Sequence, residues 1–94
     1  MPRYTREVVV TLDRVLGFGD LDAIEYLIEH GLSASQDYRT PSMTVKLGST
    51  VEDAEHLPPE DVLRNDVARA LEKYNYAIVA WAAGEWEEYK PISR

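Results

Sequence analysis

Side chains able to bind a ligand cluster in one place, "EDAEHLPPED". Five of the ten residues from Glu52 to Asp61 are acids, and His56 sits among them. Glu52, Asp53, Glu55, His56, Glu60 and Asp61 are the kinds of ligand that hold a hard cation such as calcium or magnesium. A calcium loop also needs a central glycine at fixed spacing, and a zinc hydrolase needs two histidines one helical turn apart. Neither pattern occurs. The stretch therefore reads as an exposed acidic loop ahead of a helix, and no metal or cofactor is expected. A small enzyme or metal-binding protein built on His56 and its neighbouring carboxylates is the alternative. His30 falls near a helix C-terminus, where exposed carbonyls favour a cation. Local spacing gives it no partner for acid–base work. Ser33, Ser35, Ser42 and Ser49 lack the turn that exposes a nucleophile. Gly17 and Gly19 are too few to cradle a phosphate, and the adjacent acids repel one. No catalytic residue is expected.

The other concentration is aromatic. Tyr74, Tyr76, Trp81, Trp86 and Tyr89 fall within sixteen residues. Trp and Tyr join a rigid apolar body to a polar tip and are enriched where proteins meet. Five large rings exceed what so small an interior hides, and an exposed apolar patch marks a contact site. The expected partner-binding residues are Tyr76, Trp81, Trp86 and Tyr89, with Glu85, Glu87 and Glu88 as an acidic rim.

The bulk numbers agree with such a module. Ninety-four residues, 45% hydrophobic and 29% charged, suit one globular domain spanning 1–94. The net charge of −7 disfavours direct nucleic-acid binding, which rests on Lys and Arg displacing counterions. It leaves open an acidic mimic of nucleic acid that inhibits a basic protein. There is no cysteine, hence no disulfide, thiol nucleophile or thiolate-bound metal. The longest apolar run, Tyr76 to Ala83, falls far short of the roughly 20 residues that span a bilayer. The first residues lack the apolar core of a signal peptide. The chain reads as soluble and cytoplasmic, without a membrane partner.

"EVVVTLD" predicts a strand over Thr5 to Val15, with Val8, Val10 and Leu12 on one face. Asp20 to His30 reads as a helix. Asp20 would cap it, Leu21, Ile24, Leu27 and Ile28 form its stripe, and Gly31 suits a left-handed cap on which Leu32 folds back. "SASQDYRTPS" reads as a loop. "SMTVKLG" alternates Met43, Val45 and Leu47 with polar residues and predicts a second strand. Leu63, Val67, Ala70, Leu71 and Tyr74 give a second helix over Pro59 to Lys73. "YAIVAWAAGEWEEY" has two readings. One continues that helix; the other, favoured by its strand formers and by Gly84, is a hairpin with Trp81 across from Trp86 and Ile78 near Tyr89.

"GDLDAIEYLIEHGLSAS", followed by "RTP", resembles the second helix of an ankyrin repeat and the Thr-Pro that starts the next unit. The resemblance covers about a quarter of the chain. Ankyrin units of about 33 residues must stack, at least three together. No second copy exists here, and "SMTVKLG" stands where the next helix belongs. No function is carried over from the resemblance. The expected fold is α+β, a small three- to four-stranded sheet with two helices packed on one face. The expected function is non-enzymatic protein binding through the C-terminal aromatic segment, as a homodimer or by docking on a protein partner.

Overall fold

The β-branched run near the N-terminus becomes β1 (Arg3–Leu12), and the sheet is built around it. The computed structural model describes residues 1–90. Val8, Val10 and Leu12 point to one face and are buried, while Glu7 and Val9, alternating with them, are exposed. That is the two-residue period of a strand. The strand ends at Leu12, short of the expected Val15. Leu12 N–H donates to Pro41, and beyond it the Asp13 carboxylate accepts the Ala77 N–H.

Helix α1 (Asp20–Leu27) buries Ile24, with Leu21 and Leu27 packed partly against the core. It stops a turn before the expected His30. The reason lies far away in the sequence. Asp66, buried on α2 (Glu60–Glu72), accepts the backbone N–H groups of Glu29 and His30, each at 2.9 Å. Those amides bond to a carboxylate instead of continuing the helix. The left-handed residue is Gly19 at the start of α1, with φ 85°, and not Gly31 at its end. Gly31 answers to crowding instead, since a Cβ there would lie 3.0 Å from Ile28 Cβ. Leu32 lies over Gly48 rather than folding back on the last turn. Asp20 is the first helical residue and makes no cap; its carboxylate accepts the Tyr76 hydroxyl.

The expected loop is largely a strand. β2 (Gly31–Asp37) pairs antiparallel with β3 (Ser42–Thr50), in register Ala34 to Val45 and Gln36 to Met43. Its alternate residues Ser33, Ser35 and Asp37 are exposed. Nothing β-branched announces it, and cross-strand pairing overrides its weak propensity. β3 behaves as expected, with Met43, Val45 and Leu47 buried. α2 also matches, to within a residue at each end.

The C-terminal hairpin does not form, and neither does a longer helix. β4 (Ile78–Ala83) and β5 (Glu87–Glu88) both pair antiparallel with β1, end to end along one side of it. Trp81 therefore lies along the strand from Trp86, not across from it. Asn75, at φ 63°, ends α2 in a left-handed turn. β3 already occupies the other side of β1, and ten residues of β1 are long enough to take both segments. The fold is α+β, with two helices and a five-stranded antiparallel sheet of order β2-β3-β1-β4, β5 lying beside β1. The helices' Ile24, Leu63, Val67, Ala70 and Leu71 share one core with the inner residues of β1 and β3.

Asp66 joins α2 to the α1–β2 junction through three contacts, the third from His30 Nδ1 at 3.0 Å. Asp66→Ala leaves two amides without partners. It is expected to cost about 3 kcal/mol of unfolding free energy, read from the urea midpoint at unchanged slope.

Candidate functional site

A sheet edge presents a row of unpaired N–H and C=O groups, and proteins usually guard it with charge, proline or a covering element. The two outer strands of this sheet differ in that respect. β2 is polar, α1 packs beside it, and the Glu25 carboxylate accepts the outward Ala34 N–H at 3.1 Å. β4 is "IVAWAA", with no charged residue or proline along its length. Among the described residues its pairing is with β1 alone. Val79, opposite an irregularity in the β1 register between Thr11 and Leu12, is 64% exposed. Ala80 and Ala82 are also exposed. Beside the start of β4, a groove of about 240 Å³ runs between Ile78 and the α2 flank of Arg64, Ala68 and Glu72.

The rings meet different fates. Trp81 and Trp86 are half-buried, packing partly on the core. The Trp81 indole N–H donates to Glu60 Oε1 at 2.7 Å. Trp86 lies under the Arg6 guanidinium, 5.3 Å from the ring centroid, close enough for cation–π attraction. Arg6 also donates to the Gly84 carbonyl through Nε, at 2.9 Å, and through Nη2, which fixes the break between β4 and β5. Tyr89 and Tyr74 are exposed. Glu85, Glu87 and Glu88 are exposed along the same edge, and Glu85 and Glu87 join Glu7 and Lys46 around a polar depression of about 340 Å³.

Tyr76, expected among the docking residues, belongs to the core at 5% exposure. Its hydroxyl donates to Asp20 Oδ2 at 2.6 Å and accepts the Gly17 N–H at 2.7 Å. Arg14 lies 4.1 Å from its ring centroid. The ring pins the loop before α1 to the chain leaving α2, which accounts for an aromatic residue here without any partner. Burial first, and then the hydrogen bond to Asp20, push its pKa above 10.0.

The histidines each meet a carboxylate. Asp66, however, is already engaged by two backbone amides, so the His30 contact is part of that anchor. His56 Nδ1 lies 2.8 Å from Asp53, which also accepts the Glu55 N–H and so caps the short turn Ala54–His56; both side chains are more than half exposed. The remaining acids of that run do not converge, and among the described residues no three acidic or histidine side chains come together around a metal position. No described helix is long and apolar enough to cross a membrane.

Arg6, Glu25 and Asp66 were missed in the sequence. Their partners lie 78, 9 and 37 residues away, and no local spacing announces them. Phe18 and Tyr26, at 97% and 89% exposure, are two further exposed rings outside the C-terminal segment. Comparison with known protein families, with characterised proteins and with solved structures found no match to this chain.

Tyr76→Phe removes one donor and orphans the Gly17 amide. It is expected to lower stability by about 1–2 kcal/mol at neutral pH. The folded protein holds the phenolic proton more tightly than the unfolded chain does. The stabilisation is therefore complete below pH 10.0 and is lost as pH rises through the folded value, because the unfolded state ionises first. Urea unfolding of both proteins across that range should show the gap between them constant up to pH 10.0 and shrinking above it.

Proposed function

We propose that this chain is a small acidic protein-binding domain without catalysis, docking through its C-terminal segment. The observation that carries the reading is the contrast between the edges, β2 guarded by Glu25 and polar residues, β4 bare and apolar. Strand addition supplies affinity through main-chain hydrogen bonds and specificity through the side chains beside them. Trp81, Trp86 and Tyr89 give apolar area next to that edge, and Glu85, Glu87 and Glu88 supply its charged rim. Tyr76 contributes by holding the frame and not by touching a partner. A cytoplasmic location is part of the same proposal, and the lack of cysteine is consistent with it.

The acidic rim also keeps a second reading in view, occupation of a basic site on a nucleic-acid-binding protein. Binding of that kind falls steeply with salt, whereas strand addition does not.

The test uses the intact chain as bait in an extract of its native cell, with light scattering for mass. Ala82→Lys places a charge on the β4 edge, and Ser35→Lys does the same on β2. Ala82→Lys and Tyr89→Ala are expected to weaken whatever associates by about tenfold, ~1.4 kcal/mol, while Ser35→Lys leaves it unchanged. A wild-type chain that stays monomeric and captures nothing removes the reading. Association lost equally on both edges removes it as well.

A further inference from the structure

Building on that reading, we infer that the occupant of the β4 edge is a second copy of this chain. The two β4 strands lie antiparallel across a two-fold axis, making one continuous sheet.

The hydrogen-bond pattern is ready for this. Gly84 N–H donates to Glu7 O at 2.8 Å, so Gly84 faces β1. Backbone groups alternate sides along a strand, so Ala82 and Ala80 also turn toward β1, and Trp81 and Ala83 aim their N–H and C=O groups outward. Side chains directly opposite in an antiparallel pair share a face, so β4 pairs with itself only in registers where the two residue numbers sum to an even value. Alternation is regular from Ala80 to Gly84, and the register centred on the outward-facing Trp81 has its axis there, with Val79, at the irregularity, opposite Ala83 of the second copy. Trp81 then opposes Trp81 of the second copy, with both outward donors and acceptors satisfied. Ala80 opposes Ala82, small against small, on the exposed face.

Side-chain chemistry favours the same occupant. A basic strand laid on β4 would meet no carboxylate on the strand itself, whereas another "IVAWAA" is uncharged and rich in strand formers. The charges on the chain leading into and out of the strand lie at its ends, while Glu60 beside its middle is engaged by the Trp81 indole. Beyond Ala83 come Glu85, Glu87 and Glu88; before Ile78 come Lys73 and Arg14, the latter donating to the Asn75 carbonyl, with Asp13 and Glu72 beside them. Antiparallel pairing sets the acidic end of one copy against the balanced end of the other. It holds the two Glu85 positions about 27 Å apart, eight strand residues, well beyond the roughly 8 Å screening length at physiological salt.

The chain has no native cysteine, which makes the geometry testable by cross-linking. Ala80 and Ala82 would form a non-hydrogen-bonded pair with Cα atoms about 4.5 Å apart, within disulfide reach. The double variant A80C/A82C is expected to oxidise to a covalent dimer under mild conditions, while A80C and A82C alone do not. A single variant that cross-links instead moves the axis to Ala80 or Ala82 and overturns the register.

The purified wild-type chain should run at twice its monomer mass in sedimentation, with little change from low to physiological salt. Ala83→Pro removes an outward N–H and spares the β1 ladder. It is expected to raise the dimer dissociation constant about thirtyfold, two hydrogen bonds being lost across the axis. Near-ultraviolet circular dichroism checks that the variant has folded; if it has not, the cross-linking result decides alone. A purified chain that is monomeric at high concentration and forms no cross-link overturns this inference. If such a chain still retains an edge-dependent partner as bait, the broader protein-binding reading stands and the occupant is a different protein. If it retains none, both fall.

Discussion

Strand β1 is the constraint from which the rest of the molecule follows. Its inner residues Val8, Val10 and Leu12 are fully or almost fully buried. Its backbone is paired on both sides, by β3 on one and by β4 and β5 on the other. A central strand of ten residues offers more pairing length than the six residues of β4 can use. The surplus at Tyr4 and Thr5 is taken by the two residues of β5. The break between them needs its own support, and Arg6 provides it by donating to the Gly84 carbonyl while lying over the Trp86 ring. The outer course of the C-terminal segment is thus written on β1.

This dependence explains which elements were legible in the sequence. β1, β3 and α2 carry their own signal, since each buries a face whose period is visible locally. Val8/Val10/Leu12, Met43/Val45/Leu47 and Leu63/Val67/Leu71 needed no knowledge of the partner. β2 and the β4–β5 pair have no such autonomy. "GLSASQD" is a strand because β3 lies beside it, and "YAIVAWAAGEWEEY" runs extended along β1 because one side of β1 is vacant. A turn glycine and two tryptophans near it suggested a hairpin, a local solution that loses once a longer partner is available. The end of α1 is a similar case. Its apolar stripe continues to Ile28, yet a carboxylate 37 residues later claims the amides that would have extended it.

The candidate site was legible to a lesser degree. Counting rings against the size of the interior correctly implied that some must reach the surface, and Trp81, Trp86 and Tyr89 do so to different extents. The count could not say which. Tyr76 has the same composition signal as its neighbours and the opposite role, because its hydroxyl finds both a donor and an acceptor in the Gly17–Asp20 loop. A buried phenol with a fully matched hydroxyl stabilises the fold; a half-buried indole beside an open edge has area left to offer. The partners of the polar atoms separate the two, and those of Tyr76 lie 56 to 59 residues away.

The acidity of the chain and its bare edge belong to one argument. In the proposed dimer, carboxylates on other surfaces would oppose random approach of a second copy, because it brings like charges together. The edge guarded by Glu25 is closed for a different reason, its outward Ala34 amide being already satisfied. The residues of β4 carry no charge, and the Glu60 carboxylate beside it accepts the Trp81 indole N–H and no outward backbone amide. The outward groups of β4 are already held in strand geometry by the β1 ladder on their other side. Adding a strand there would require little ordering of this protein, which lowers the conformational cost of association. In the proposed docking mode, selectivity would come from one uncharged, pre-ordered strand on a chain of net charge −7.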